Sequence, residues 1–215
     1  MAEESKAPQK PESSQSKETG APVQPSAGGA SLAPPVKPVA PAASAPPPVQ
    51  VPLDNELTRR YRERFGSAIL DALEDRKQPI LILDSAQLFE IARYSRDTEK
   101  FELLEDYTAV DWPRREKRFD LVAQLYSFTQ NARLRLKIRV GTQEQASSLT
   151  EIWPTANWLE REIFDLFGIV FAGHPGLKRI LLPDEWQGHP LLKDYDILRQ
   201  DTAWVRENLS IGSGQ

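Results

Sequence analysis

The sequence predicts an α+β fold, a two-layer domain in which a mostly antiparallel sheet has helices on one side. Three observations support this prediction. A stripe of apolar residues at helical spacing precedes an uninterrupted apolar run at residues 80–83. Apolar and basic residues alternate strictly along residues 133–140, which is typical of a strand with one buried face. A further amphipathic helix is expected over residues 157–167.

The N-terminal region, residues 1–52, is predicted to be a disordered tail. Twelve of the eighteen prolines lie in it, together with alanine, serine and glutamine and almost no large apolar side chain. Such a segment cannot offset its ordering entropy by burial. A solubilising spacer is the favoured interpretation, and a proline-rich docking ligand at residues 34–48 is the alternative. The folded domain is expected to span residues 53–182.

Composition excludes several classes of protein. The chain has no cysteine, so disulfides, iron–sulfur ligation and cysteine-based zinc sites are excluded. The net charge of −4 gives no general attraction to nucleic acid or anionic lipid. No apolar run is long enough to span a bilayer, and Glu3 and Glu4 do not fit a signal or transit peptide. We therefore expect a protein kept in the cytosol, with no direct membrane insertion.

Residues 54–110 predict two helices and two strands. Asp54 can cap a first helix. Its apolar stripe would consist of Leu57, Tyr61, Phe65, Ala68, Ala72 and Leu73. The run Ile80–Leu83 indicates a strand buried on both faces. Ser85 can cap a second helix, with Leu88, Ile91 and Ala92 pointing inward. A weaker strand is expected over residues 101–110.

The strongest sheet signal is a hairpin over residues 119–140. Its second strand would place apolar residues on one face and a row of four cations on the other: Arg133, Arg135, Lys137 and Arg139. A basic row could bind nucleic acid, but no aromatic residues interleave with it to stack on bases. Basic side chains also protect strands from unwanted pairing. A solvated or partner-facing surface is therefore favoured.

The stretch from Asn157 to Tyr195 organises the rest of the chain. A short helical piece is expected before it, at residues 144–150. Asn157 is predicted to cap the central helix, with Glu160 returning to the cap in a capping box. Gly168 would end that helix in the left-handed conformation. Short strands are expected at residues 169–171 and 178–182. Each is followed by Gly-His-Pro, which places His174 and His189 on turns.

An enzyme of its own is the alternative that this stretch raises. Carboxylates and histidines could form an acid–base pair or a metal site: Glu160, Glu162, Asp165, His174 and His189. However, Glu160 is explained by capping, and Arg161 can pair with Asp165 one turn later. The two histidines lack the i, i+4 spacing of a helical metal site. No glycine-rich nucleotide motif is present. No catalytic, cofactor-binding or metal-binding residue is predicted.

The C-terminal segment, residues 183–215, is predicted to dock on a partner. Trp186, Tyr195 and Trp204 stand singly among charged residues, which is typical of interface anchors. The segment carries too little apolar surface to fold alone. Folding back over its own sheet is the alternative interpretation.

The residues of this region resemble the signature of a known family, the 30-kDa subunit (also called the C subunit) of proton-pumping NADH:quinone oxidoreductase (respiratory complex I). The resemblance rests on Glu160-Arg161-Glu162, Asp165-Leu166-Phe167-Gly168, His174, Lys178, Arg179-Ile180-Leu181, Gly188-His189-Pro190-Leu191 and Lys193-Asp194-Tyr195. Asp111-Trp112-Pro113 and the hairpin also fit, so that it covers about residues 54–200. Leu192 and Asp196 depart from the pattern, since the family usually has Arg and Pro there.

The resemblance implies a cofactor-free subunit of the hydrophilic arm, peripheral on the cytoplasmic side of the bacterial inner membrane. The subunit would support the hydrogenase-derived large subunit that forms the quinone pocket with small iron–sulfur subunits. NADH, FMN, iron–sulfur clusters and quinone would belong to these partners, in a complex that couples electron transfer to proton translocation.

Interface or motif roles are implied for Glu160, Arg161, Glu162, Asp165, His174, Lys178, Trp186, His189, Lys193, Asp194, Tyr195 and Trp204. The alternatives are the same subunit type in a membrane-bound hydrogenase or another quinone- or ferredoxin-linked dehydrogenase, and a free-standing α+β binding module or hydrolase.

Overall fold

The computed structural model describes residues 50–196 and Glu207. The predicted tail at residues 1–49 and the anchor Trp204 lie outside the described residues. The elements in chain order are β1 (Val51–Pro52), α1 (Glu56–Phe65), β2 (Ile69–Asp75), β3 (Gln78–Leu83), α2 (Leu88–Asp97), β4 (Leu103–Asp111), β5 (Phe119–Ser127), β6 (Ala132–Val140), β7 (Ala146–Ser147), α3 (Ala156–Phe167) and β8 (Phe171–Ala172). None of the described helices is both long and apolar enough to cross a membrane.

A six-stranded sheet with the order β1-β2-β3-β6-β5-β4 forms one layer of the domain. All neighbouring strands are antiparallel except β3 and β6. The predicted hairpin is β5 and β6, with Leu121 opposite Ile138 and Asp120 opposite Arg139. The predicted α+β class and the mostly antiparallel sheet are confirmed.

The core lies between one face of this sheet and the three helices. The inward residues of β6 (Leu134, Leu136, Ile138, Val140) join a cluster with Tyr61 of α1, Ile91 of α2 and Ile163 of α3. On the opposite face, Ile80 and Ile82 are only 1% and 8% exposed. Their strand neighbours there are Arg135 and Lys137, whose alkyl chains can cover them. The prediction that residues 80–83 form a strand buried on both faces is confirmed.

The first helix is shorter than the sequence predicts. Its cap is Asn55 rather than Asp54, because Asn55 and Thr58 form a reciprocal capping box. Gly66, at φ 53°, follows the helix. Ala72 and Leu73 belong to strand β2, where they pair with Leu81 and Ile80 of β3. Ala72 and Leu73 fit the helical spacing of the predicted stripe, but their pairing with β3 places them in a strand.

Start positions also differ for the second and third helices. A 3₁₀ turn at Ser85–Gln87 precedes α2, and Asp84, not Ser85, caps that turn. The N-cap of α2 is Gln87, which makes no side-chain capping bond. The predicted inward residues of α2 are nevertheless buried. Helix α3 begins before Asn157: Thr155 is its N-cap and makes no side-chain capping bond.

Three short elements around α3 differ from their predictions. Residues 144–150 contain no helix; Ala146–Ser147 is strand β7, which pairs in parallel with β8. The region expected as a strand at 169–171 contributes only Phe171 to β8. Residues 178–182 are not a strand, because their amides turn towards a buried carboxylate of α3.

Candidate functional site

The C-terminal end of α3 is wrapped by a segment that we call the strap, residues 178–195. Gly168 ends the helix in the left-handed region, at φ 77° and ψ 12°, as predicted. The ring of His189 lies against this glycine so closely that a Cβ there would be 2.7 Å from its Cδ2 atom. Leu191 donates its amide to the carbonyl of Leu166, which fixes the strap to the last turn.

A buried carboxylate, Asp165, is the centre of this arrangement. Its Oδ2 atom accepts three consecutive amides, from Ile180 at 3.0 Å, Leu181 at 2.8 Å and Leu182 at 2.9 Å. Its Oδ1 atom accepts Nη1 of Arg179 at 2.6 Å. Burial alone would raise the pKa of Asp165, but these donors outweigh it and hold the pKa below its ordinary value. The group is therefore an ionised structural anchor.

Arg179 links this carboxylate to the later part of the strap. Its Nη2 atom donates to the carbonyls of Trp186 at 3.0 Å and Gly188 at 3.1 Å. His189 donates from Nδ1 to the carbonyl of Asp165 at 2.8 Å. We refer to Asp165, Arg179 and His189 as the clamp. The sequence placed Arg179 in the family motif but gave it no role, because Asp165 lies fourteen residues away and its other partners are carbonyls that leave no pattern in side-chain types.

The spacing of Arg161 and Asp165 predicted an ion pair between them, but the structure does not contain it. Its guanidinium donates to the carbonyls of Lys178 and Arg179, at 3.2 and 2.9 Å. Asp165 points inward and is fully buried, whereas Arg161 remains near the surface of α3. Arg161 thus supports the start of the strap from the outside of the helix.

Glu160 holds a different segment, and the predicted capping box is wrong. The side chain is 0% exposed and accepts hydrogen bonds from Ser148 Oγ at 2.7 Å and the Leu149 amide at 2.6 Å. Burial raises the pKa of Glu160 to about 7, although these two donors oppose the shift. Burial also raises the pKa of Tyr107 well above its ordinary value, and the nearby Glu160 adds to that shift.

A second attachment joins the strap to the sheet. Arg118 donates to both oxygens of Asp111, at 2.6 and 2.8 Å, and also bridges to Asp194 at 2.5 Å. Asp111 accepts the amide of Lys193 at 2.7 Å. The guanidinium of Arg118 lowers the pKa of both Asp111 and Asp194. Leu192 packs partly buried against the core.

The two histidines lie in separate local structures. His174 accepts the amide of Gly176 at Nδ1 and therefore donates from Nε2 to the carbonyl of Asn157, at 3.1 Å. Lys178 and Glu162 are exposed. Within residues 50–196, no group of three histidine or acidic side chains converges as metal ligands. Trp186 and Tyr195 are half-buried in the strap.

Large apolar side chains are exposed on α3 and on the strap. Trp158 is 67% exposed, with the guanidinium of Arg161 at 5.9 Å from its ring centroid, and Leu181 is 61% exposed. Leu191 is also exposed. We call these three residues the apolar flank. The sequence contained a signal for Trp158, since it lies off the inward stripe of its helix, but that signal was missed.

Comparison with known proteins gives a consistent family. Residues 81–201 match the model described as "Respiratory-chain NADH dehydrogenase, 30 Kd subunit". The C subunit of NADH-quinone oxidoreductase from Geotalea uraniireducens is 37% identical over 158 residues, which are 73% of this chain and 96% of the relative. The protein of the same name from a Roseiflexus species is 41% identical over 157 residues, 71% of this chain and 90% of the relative.

A solved structure shares the fold. It is a chain from the membrane-bound sulfane sulfur reductase, an archaeal respiratory membrane complex. The TM-score is 0.59 at 22% sequence identity, and the match covers 74% of this chain and 94% of that one.

Proposed function

This chain belongs to the family of the 30-kDa subunit of respiratory-chain NADH dehydrogenase, and we propose that it works as a structural subunit of an NADH:quinone oxidoreductase. In this proposal the complex passes electrons from NADH to quinone and couples the transfer to proton translocation. The chain itself supplies no reacting group. It binds at the cytoplasmic face of the membrane through its partner subunits, and NADH, FMN, iron–sulfur clusters and quinone are held by those partners.

The observation that carries this proposal is the use of the charged motif residues inside the chain. Asp165 and Arg179 bind backbone groups of the strap, and His189 binds a backbone carbonyl of α3. Glu160 binds the loop before α3. A general acid or base needs access to a substrate proton. Side chains whose polar atoms are already taken up by buried backbone groups serve to position a segment of chain. The motif thus fits an architectural role.

The apolar flank is the proposed docking surface for the large subunit that forms the quinone pocket. Trp158 and Leu181 are exposed beside a rigid clamp, so a partner would meet a preorganised surface and little ordering entropy would be lost. Tryptophan and arginine are both enriched at interface hot spots, and here Arg161 lies beside Trp158.

Replacement of Trp158 by alanine tests this assignment. We expect W158A to fold normally and to lower the amount of chain that copurifies with the complex from native membranes, together with NADH:quinone activity. Phe128 is the matched control, because it is also 67% exposed but lies in the β5–β6 turn. F128A should leave both quantities unchanged.

The same purification separates the alternatives. Copurification with a NADH-oxidising partner supports the proposal, and copurification with a hydrogenase or a ferredoxin-linked enzyme supports a related complex. A wild-type chain that is recovered alone, without membrane partners, would contradict both.

A further inference from the structure

The open face of the sheet ends in a group of basic side chains that the proposed docking surface does not include. We call it the basic corner: Arg115, Lys117, Lys137 and Arg139. The first two lie in the β4–β5 loop, residues 112–118, and the last two lie on β6. Arg115, Lys117 and Arg139, together with Glu116, line a surface cleft of about 470 Å³.

A buried carboxylate holds the corner together. Asp120 is 3% exposed, and its oxygens lie 3.3 Å from Nη1 of Arg115, 3.5 Å from Nζ of Lys137 and 3.9 Å from Nε of Arg139. It also accepts the indole N–H of Trp112 at 3.0 Å. One negative charge thus fixes three cations that would otherwise repel one another.

The positive charge of the corner is not balanced within the chain, in contrast to the other end of the same row. There, Arg133 has Glu105 at 3.2 Å and Arg135 has Asp75 at 3.8 Å. At the corner, four cations face three carboxylates: Asp120, Glu116 and Glu144, the last of which lies 3.5 Å from Lys117. This excess of positive charge occurs on a chain whose net charge is −4.

Trp112 adds an anchor of the kind found at protein interfaces. Its side chain is 42% exposed, and the guanidinium of Arg115 lies 4.2 Å from the ring centroid. Exposed tryptophan and arginine are the residue types most enriched at binding hot spots. Asp120 holds both of them from below, so the pair is presented in a fixed orientation.

We propose that the basic corner binds an acidic segment of a neighbouring protein subunit, with partner carboxylates seated between Arg115 and Arg139. The inference rests on the proposed function, because it assumes that the chain is assembled with other subunits. A protein segment fits better than a nucleic acid or a membrane surface. Glu116 and Glu144 at the corner would repel a continuous row of phosphates, whereas spaced carboxylates can avoid them.

Zero-length cross-linking tests the proposal in the assembled complex. A carbodiimide activates a carboxylate, a lysine amine displaces it to form an amide, and the reagent leaves as its urea. We expect R139K to form new cross-links between the corner and aspartate or glutamate of another subunit, identified by mass spectrometry. R133K is the matched control, since Arg133 lies on the same strand and face and is similarly exposed but has Glu105 as its own counter-ion. The native Lys117 and Lys137 are common to both variants, so the comparison is between cross-links at position 139 of R139K and at position 133 of R133K. Equal intersubunit cross-linking at these two positions would overturn the proposal.

Charge neutralisation gives an independent measurement. We expect the R115Q/R139Q double variant to rebind membranes depleted of this chain roughly tenfold more weakly at low salt, with a smaller dependence on salt than the wild type. R133Q should behave as the wild type. If the double variant rebinds normally while the wild type assembles, the corner has no docking role, yet the proposed function stands.

A membrane role is distinguished by vesicles. The purified full chain is floated with vesicles of phosphatidylcholine and phosphatidylglycerol. Two results together would overturn the proposal in favour of an anionic lipid surface. The wild type would bind the vesicles and R115Q/R139Q would not, and R139K would form no intersubunit cross-link. A wild-type chain that never assembles with other subunits would instead contradict the proposed function itself.

Discussion

Asp165 keeps its negative charge in a site that water does not reach, because three amides and Arg179 take the place of solvent. A buried ion pair is costly to form but more costly to break, since the remaining partner is left without compensation. Here the guanidinium of Arg179 is also largely buried, at 15% side-chain exposure. The strap depends on both charges.

Replacing Asp165 by asparagine should therefore destabilise the domain strongly. D165N keeps the shape but removes the charge and turns amide hydrogens towards N–H donors, so we expect a loss of roughly 3 kcal/mol in the free energy of unfolding. Urea denaturation measures it. E162Q is the control, because Glu162 is an exposed carboxylate on the same helix and should change stability by less than about 0.5 kcal/mol. Equal stability of the two variants would show that the clamp contributes nothing.

Glu160 and Asp165 are both buried carboxylates, but their pKa values move in opposite directions. The pKa of Asp165 is lowered, so its contribution is present above the unfolded value of about 4 and is lost as the pH falls through the folded value. The pKa of Glu160 is raised to about 7, so the folded protein holds a proton that the unfolded chain has released. That contribution is complete below the unfolded pKa and is lost as the pH rises through 7.

The pH dependence of stability tests this difference. Glu160 alone should lower the free energy of unfolding by roughly 1.4 kcal/mol per pH unit between about pH 4.5 and 7. E160Q should remove that slope, because glutamine is neutral throughout and its amide can donate to Ser148. The measurement is urea denaturation at several pH values, and E162Q should retain the slope. A wild-type curve that is flat over this range would contradict a raised pKa.

At the scale of single elements, the sequence pattern correctly predicted the helices, strands and turns that depend on residues close together in the sequence. The β5–β6 hairpin follows from alternation, and the end of α3 follows from Gly168. Strand β2 was missed because Ala72 and Leu73 also fit a helical stripe, and only pairing with β3 distinguishes the two. Glu160 fitted a capping box, but its donors lie eleven and twelve residues upstream. Such partners cannot be read from spacing.

Gly168 offers a test of how α3 and the strap fit together. G168A introduces a Cβ at φ 77° and also 2.7 Å from the ring of His189, which must then move and lose its bond to Asp165. We expect a cost of roughly 2–4 kcal/mol. G173A is the matched control, since Gly173 has φ 85° but no atom within 4 Å of an added Cβ. It should cost only about 1 kcal/mol, from backbone strain alone.

Thermal unfolding and limited proteolysis measure the two contributions separately. The melting temperatures give the difference in stability between G168A and G173A. Faster cleavage within residues 183–195 should occur in G168A only, because the displaced His189 no longer holds the strap. If both glycine variants lose the same stability and are cleaved at the same rate, then contact with His189 has no energetic role.

At the scale of the whole molecule, the sequence motif was sufficient to identify the family, but it did not show what each of its residues does. Those residues lie mostly within one stretch of sequence, residues 160–195, which made the family recognisable. The structure shows that Asp165, His189 and Asp194 form hydrogen bonds with other residues of this chain. Interface roles for the remaining motif residues stay a prediction. Arg179, Arg118 and Asp111 complete the attachment; the first and last belong to the family motif, but the role of all three is visible only in the folded geometry.

Two truncations separate the strap's contribution to folding from the docking proposed for the C-terminal segment. Ending the chain after Leu182 removes the carbonyl partners of Arg179, the His189 bond, the packing of Leu192 and the Arg118–Asp194 bridge. Several such losses together should cost roughly 2–4 kcal/mol. Ending the chain after Asp196 keeps all of them, so the free energy of unfolding should stay within about 0.5 kcal/mol of the wild type.

The docking prediction concerns the second truncation. If Trp204 and its neighbours anchor the chain to a partner, the protein that ends after Asp196 should fold as the wild type does yet copurify poorly with the complex, and membrane NADH:quinone activity should fall. W204A in the full chain is the finer variant, and it should reduce copurification without changing the melting temperature. A chain that ends after Asp196 and still supports full assembly and activity would limit docking to residues 50–196, where the apolar flank and the basic corner are the remaining surfaces.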